Sequence, residues 1–240
     1  MAVNFDASLR ARAVQILEES YREAYVMSRD VNSLEDGVSI EADSLTSFLS
    51  NCDSRTFCIL VTSFLEDVLR RTLTEYWSLT SRDAKQDYFG SNGPLSTFSQ
   101  RVLVCVGVGW LTEDEAKEST RLRKIRNEFA HNHQLHALTD PGLSKLVEGL
   151  RAYDKIWLEL PEYRASYELL PAEAVLRIRV YCNAFNVARS VLARARRINM
   201  GIPPNFRSGD GFDHMTEIEQ RLSNHMIRYS FSAVGLTYGG

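Results

Sequence analysis

The stretch TEDEAKESTRLRKIRNEFAH, Thr112 to His131, decides how the rest of this chain is read. It opens with a start signal. Thr112 is followed three residues later by Glu115, the pattern in which each side chain satisfies the other's free backbone N–H at a helix start. The predicted helix runs on to about His131. At about 100° per residue, Leu122, Ile125 and Phe129 fall in one narrow arc and must face a core. Arg126 sits on the flank of that arc, and Arg123 and Asn127 lie further round. His131 lies nearly opposite, one turn beyond Asn127, where it faces solvent, a cleft or a second copy of the chain.

Outward from this helix the same period recurs. Upstream, Asp53 or Ser54 caps a helix through FCILVTSFLEDVLRRTLTEYW to about Leu79, apolar nearly all round at first and therefore central. GSNGP at 90–94 breaks the chain. The VLVCVGV run after it suits a strand by composition. Leu95, Phe98, Val102 and Val106 also fit helical spacing and no partner strand is evident, so a helix is expected. Downstream, Asp140-Pro141 starts a helix to about Leu158, and Pro171 starts a long one to about Ile198. Its candidate core positions are Val175, Ile178, Cys182, Phe185, Val191, Leu192 and Ala195. A first helix is expected over residues 6–28, a short second one over 41–50 and a last one over 215–228. The expectation is an all-α bundle of about six to eight helices over 1–198, with 199–240 a linker and C-terminal extension.

Composition is that of a globular protein: 240 residues, 44% hydrophobic and 25% charged, net charge −3. That charge does not announce a nucleic-acid binder, but its distribution is uneven. Residues 1–50 carry nine acids against four arginines, whereas 171–207 carry seven arginines against one acid, Glu173. The arginines are either a basic patch for RNA, DNA or an acidic partner, or a solvated helix face. The four cysteines are scattered with no C-x-x-C pair, so free buried thiols are expected rather than a metal cluster or disulfide framework. The start MAVNFDASLR has no apolar signal core, and no apolar run approaches the roughly 20 residues that cross a bilayer. A cytoplasmic, non-membrane protein is expected.

Arg126 and His131 are the candidate residues for chemistry. Histidine changes charge near neutral pH and arginine stays cationic. One group to move a proton and one to stabilise a pentavalent phosphorane suffice to cleave RNA without metal. The ribose 2′-OH is then the nucleophile and a 2′,3′-cyclic phosphate forms. The plain alternative has His131 capping the helix C-terminus and Arg126 pairing with a surface acid such as Glu128 or Glu115. His131, His133 and His136 are too closely spaced and too poorly supported by acids or thiols for a metal site, so no metal or cofactor is expected. G-V-G at 107–109 lacks the rest of a dinucleotide loop.

Arg126-Asn127-Glu128-Phe129-Ala130-His131 resembles the R-N-x-x-x-H signature of HEPN domains, which are all-helical. Residues 94–131, PLSTFSQRVLVCVGVGWLTEDEAKESTRLRKIRNEFAH, and FLEDVLRRTL at 64–73 are similar to the mannitol operon repressor-like (MltR-like) branch of that group. The resemblance covers roughly 54–158. It implies a homodimer whose paired motifs meet in a composite site. It also implies a metal-independent endoribonuclease of a toxin–antitoxin, phage-defence or CRISPR setting, with an antitoxin or other protein as a further partner. Arg126 and His131 would be catalytic and Asn127 would orient His131 or the phosphate. Glu66 or Asp67 would contact the Arg126 side. The same branch implies the rival, a non-catalytic transcriptional regulator or interaction subunit, although no helix-turn-helix is evident. For RNA contacts the candidates are Arg123, Lys124, Arg189, Arg194, Arg196 and Arg197, with Arg177 and Arg179 on the same long helix. Tyr181, Phe185 or Tyr229 either stack on bases or, for Phe185, fill the core.

Overall fold

The computed structural model describes residues 48–152 and 170–199, together with 45 and 168. Expectations for 6–28, for most of 41–50, for 153–167, for Tyr229 and for the 199–240 extension lie outside these residues. Within them the chain is all-helical, six helices without a strand: α1 Ser54–Tyr76, α2 Arg82–Phe89, α3 Phe98–Gly107, α4 Glu113–His131, α5 Pro141–Glu148 and α6 Ala172–Asn199.

α1 begins where the Asp53 side chain accepts the Thr56 N–H at 2.7 Å. Its Phe57, Cys58, Val61, Leu65, Val68, Leu69 and Leu73 are buried at three- and four-residue spacing. The helix ends at Trp77, and Ser78 takes a left-handed φ of 53°. α2 was not expected from the sequence. Ser81 caps it and none of its residues is buried, so it has no apolar stripe to betray its period. The turn after it brings the Leu95 N–H onto the Tyr88 carbonyl at 2.9 Å.

VLVCVGV is helical in α3, opened by a Thr97–Gln100 capping box, with Phe98, Val102 and Cys105 inward. Leu103 points outward and is 71% exposed. α4 opens with the Thr112–Glu115 box and buries Leu122, Ile125 and Phe129, the arc read from the wheel. Each such buried side chain contributes about 2 kcal/mol. α5 is shorter than expected: it stops at Glu148, with Gly149 as its C-cap.

α1 packs along α6 and α4, α4 also meets α6, and α3 and α5 close the two sides. Among the described residues no helix is long and apolar enough to cross a membrane.

Two arginines of α6, Arg177 and Arg194, turn inward, which takes them out of the set that could contact RNA. Arg194 is 7% exposed; its Nη1 donates to Glu115 Oε2 at 2.5 Å and its Nη2 to Glu115 Oε1 at 3.1 Å. Arg177 is 1% exposed, donates to the Cys52 carbonyl and the Ser54 hydroxyl, and lies over the Phe57 ring. A guanidinium committed this way cannot also hold a phosphate. Arg179 and Arg189 are half-buried. The side chains of Arg196 and Arg197 lie outside the described residues. Tyr181 and Phe185 are buried and stacked on each other at 5.9 Å, which makes them core.

Candidate functional site

The RNEFAH stretch forms the last two turns of α4. Phe129 is fully buried and fixes the rotation of the helix. Arg126 and Asn127 are then half-buried on the flank, and Lys124, Glu128 and His131 are exposed. Arg126 Nη1 donates to Asn127 Oδ1 over a long 3.4 Å. Arg123 is half-buried, and among the described residues its buried Nε has no hydrogen-bond partner. Helix geometry sets Arg126 and His131 about 7.5 Å apart along the axis and about 140° apart around it, with Asn127 between them.

The end of a helix leaves carbonyls without partners. Here Arg55 of α1 meets one of them and two carbonyls just beyond the helix. Its Nη1 donates to the Phe129 carbonyl at 2.5 Å, and its Nη2 to the carbonyls of Asn132 at 3.0 Å and Leu135 at 3.1 Å. The Asn132 N–H closes the final turn on the Glu128 carbonyl. His131 therefore does not serve as the cap, and no described residue hydrogen-bonds its ring.

The loop that follows is tied down at two further points. Asp140 accepts the N–H groups of His136 and Ala137, and these bonds hold its carboxyl below the usual aspartate range. Glu173, at the start of α6, accepts the N–H groups of Leu138 and Thr139 at 3.0 and 3.1 Å. The Ser54 hydroxyl also donates to Glu173, and Arg177 Nε lies 3.7 Å from it. One carboxylate thus joins the starts of α1 and α6 to the loop leaving α4.

Other candidate residues lie elsewhere. Glu66 accepts from Arg101 at 3.1 Å, and Asp67 lies 3.6 Å from Arg70, so the acids expected beside Arg126 are engaged with other arginines. Glu115 is taken by Arg194 and is not a partner of Arg126. Among the described residues no group of three or more histidines, cysteines or carboxylates is arranged to hold a metal ion. Arg55 and Glu173, which shape the site, were missed from the sequence: each acts on backbone groups far away in the chain, and no local pattern marks such a partner. Comparison of the chain with protein-family models, curated proteins and solved structures finds no match.

Proposed function

We propose that this chain is a HEPN-type ribonuclease of the MltR-like branch, acting as a homodimeric toxin or phage-defence effector that cleaves RNA without metal. The observation that carries the reading is the His131 ring, exposed and without a partner among the described residues, at a helix end capped by Asn132 and held by Arg55. A histidine relieved of a structural task, one turn from Asn127 on an exposed face, is available for proton transfer.

In this reading His131 removes the proton of a ribose 2′-OH. The 2′ oxygen attacks the adjacent phosphorus, the bond to the 5′ oxygen breaks as that oxygen takes a proton from water, His131 returns its proton to solvent, and a 2′,3′-cyclic phosphate and a 5′-hydroxyl result. Arg126 stabilises the charge on the phosphorane and Asn127 orients the imidazole or the phosphate. The angle of about 140° between Arg126 and His131 around one helix favours a phosphate held between two copies of the motif. Arg123 and Lys124, beside Arg126 on α4, supply further positive charge for the RNA backbone.

The test is cleavage of end-labelled RNA in EDTA by wild type and His131→Ala prepared side by side. Cleavage by wild type alone, leaving cyclic phosphate ends, is the expected result. Equal cleavage by both places the activity elsewhere. No cleavage by either overturns the reading in favour of a non-catalytic regulator or assembly subunit.

A further inference from the structure

We propose that Arg55, on α1, is a positioning residue for the chemistry at His131, an inference that rests on the ribonuclease reading above. The three carbonyls it holds belong to Phe129, Asn132 and Leu135. They straddle His131: one lies in the helix before it, one at the C-cap just after it, and one in the loop beyond. The planar fork of an arginine reaches these acceptors from two separated nitrogens of one rigid group, whereas a lysine ammonium offers all its donors from a single atom on a flexible stem. Arg55 is the second residue of α1, whose N-terminus Asp53 caps and whose Ser54 hydroxyl meets Glu173. Its backbone is therefore anchored where α1, α6 and the 132–140 loop meet. Phe129 holds the helix from inside and Arg55 holds the backbone from outside, so the imidazole leaves from a main chain fixed on both sides. A displaced general base loses rate steeply with distance.

The experiment compares wild type, Arg55→Ala, Arg55→Lys and Thr112→Ala as full chains. Thr112→Ala removes a cap at the far end of the same helix, so it lowers stability without touching the His131 end. Cleavage of labelled RNA gives kcat and KM, and nitrogen-15 spectra of the imidazoles give the His131 signal. Arg55→Ala is expected to lower kcat about tenfold or more at near-constant KM. Arg55→Lys, which keeps the charge and loses the fork, should fall with it, Thr112→Ala should keep the wild-type kcat, and the His131 ring signals should move in both Arg55 variants. Wild-type kcat in a folded Arg55→Ala overturns the proposal, as does full rescue by lysine. If the alanine variant does not fold, the lysine variant decides on the same two readouts. If wild type cleaves no RNA, it is the ribonuclease reading that falls. The ring signals then decide alone: unmoved in Arg55→Lys they overturn the role of Arg55, and displaced they support it.

Discussion

Glu115 belongs to two structures at once. It accepts the Thr112 N–H at the start of α4, and it faces Arg194 of α6 with its side chain only 9% exposed. Burial works against its charge, but the hydrogen bond and charge of Arg194, with the bonds from Thr112 and Ser190, outweigh burial and hold the carboxyl below its usual range. The folded state thus favours the ionised acid. That stability is fully present above the ordinary glutamate range and is lost as pH falls through the depressed value. Arg194→Met alone strands a buried carboxylate and should cost about 3 kcal/mol in urea unfolding at neutral pH. Adding Glu115→Gln, which preserves the capping box, should recover most of that loss and flatten the acid limb of the stability curve. Failure to recover would mean that the pair is not the source of the loss. By contrast His131→Ala, at an exposed position, should leave the urea midpoint within about 0.5 kcal/mol of wild type. The sequence showed Arg194 as one arginine among seven in 171–207. Which of them turn inward depends on Glu115, Ser54 and Glu173, acids and a hydroxyl that only the fold brings near.

Helix by helix, the sequence was readable where a start signal or an apolar stripe was present. The capping box at Thr112, the proline at α5, and the wheel of Leu122, Ile125 and Phe129 all located their elements. α2 was invisible because RDAKQDYF buries nothing, and α5 was read too long because the Gly149 stop lies within an apolar pattern that continues past it. Two glycines make opposite predictions. A Cβ on Gly93 would run into the backbone carbonyls of Tyr88 and Asp87, so the turn joining α2 to α3 admits nothing larger. Gly93→Ala should lose more than about 1 kcal/mol of stability. Gly142, in the first turn of α5, has open space around it, and Gly142→Ala should gain about 0.5 kcal/mol by restricting the unfolded chain. Thermal unfolding of the two variants beside wild type checks both signs.

The buried side chains of all six helix-bearing segments except α2 join in one core, and three of the four cysteines sit inside it. Burial pushes the Cys105 thiol up to about 12 and the Cys58 thiol well up, and burial also raises half-exposed Cys52. At mildly alkaline pH iodoacetamide should therefore mark Cys52 first, and Cys58, Cys105 and Cys182 only once urea opens the core. Early labelling of Cys105 would show that α3 detaches independently of the rest. The Glu173 junction has a consequence in time. Its partner Ser54 lies 119 residues earlier, and the loop it holds lies 34 and 35 residues earlier. A ribosome delivers the chain in order, so the loop beyond His131 waits for α6 before it is secured. Chains ending at 170 should show the Leu138 and Thr139 amides exchanging freely with water, whereas the full chain protects them. A protein built this way stays unfinished during most of its own synthesis.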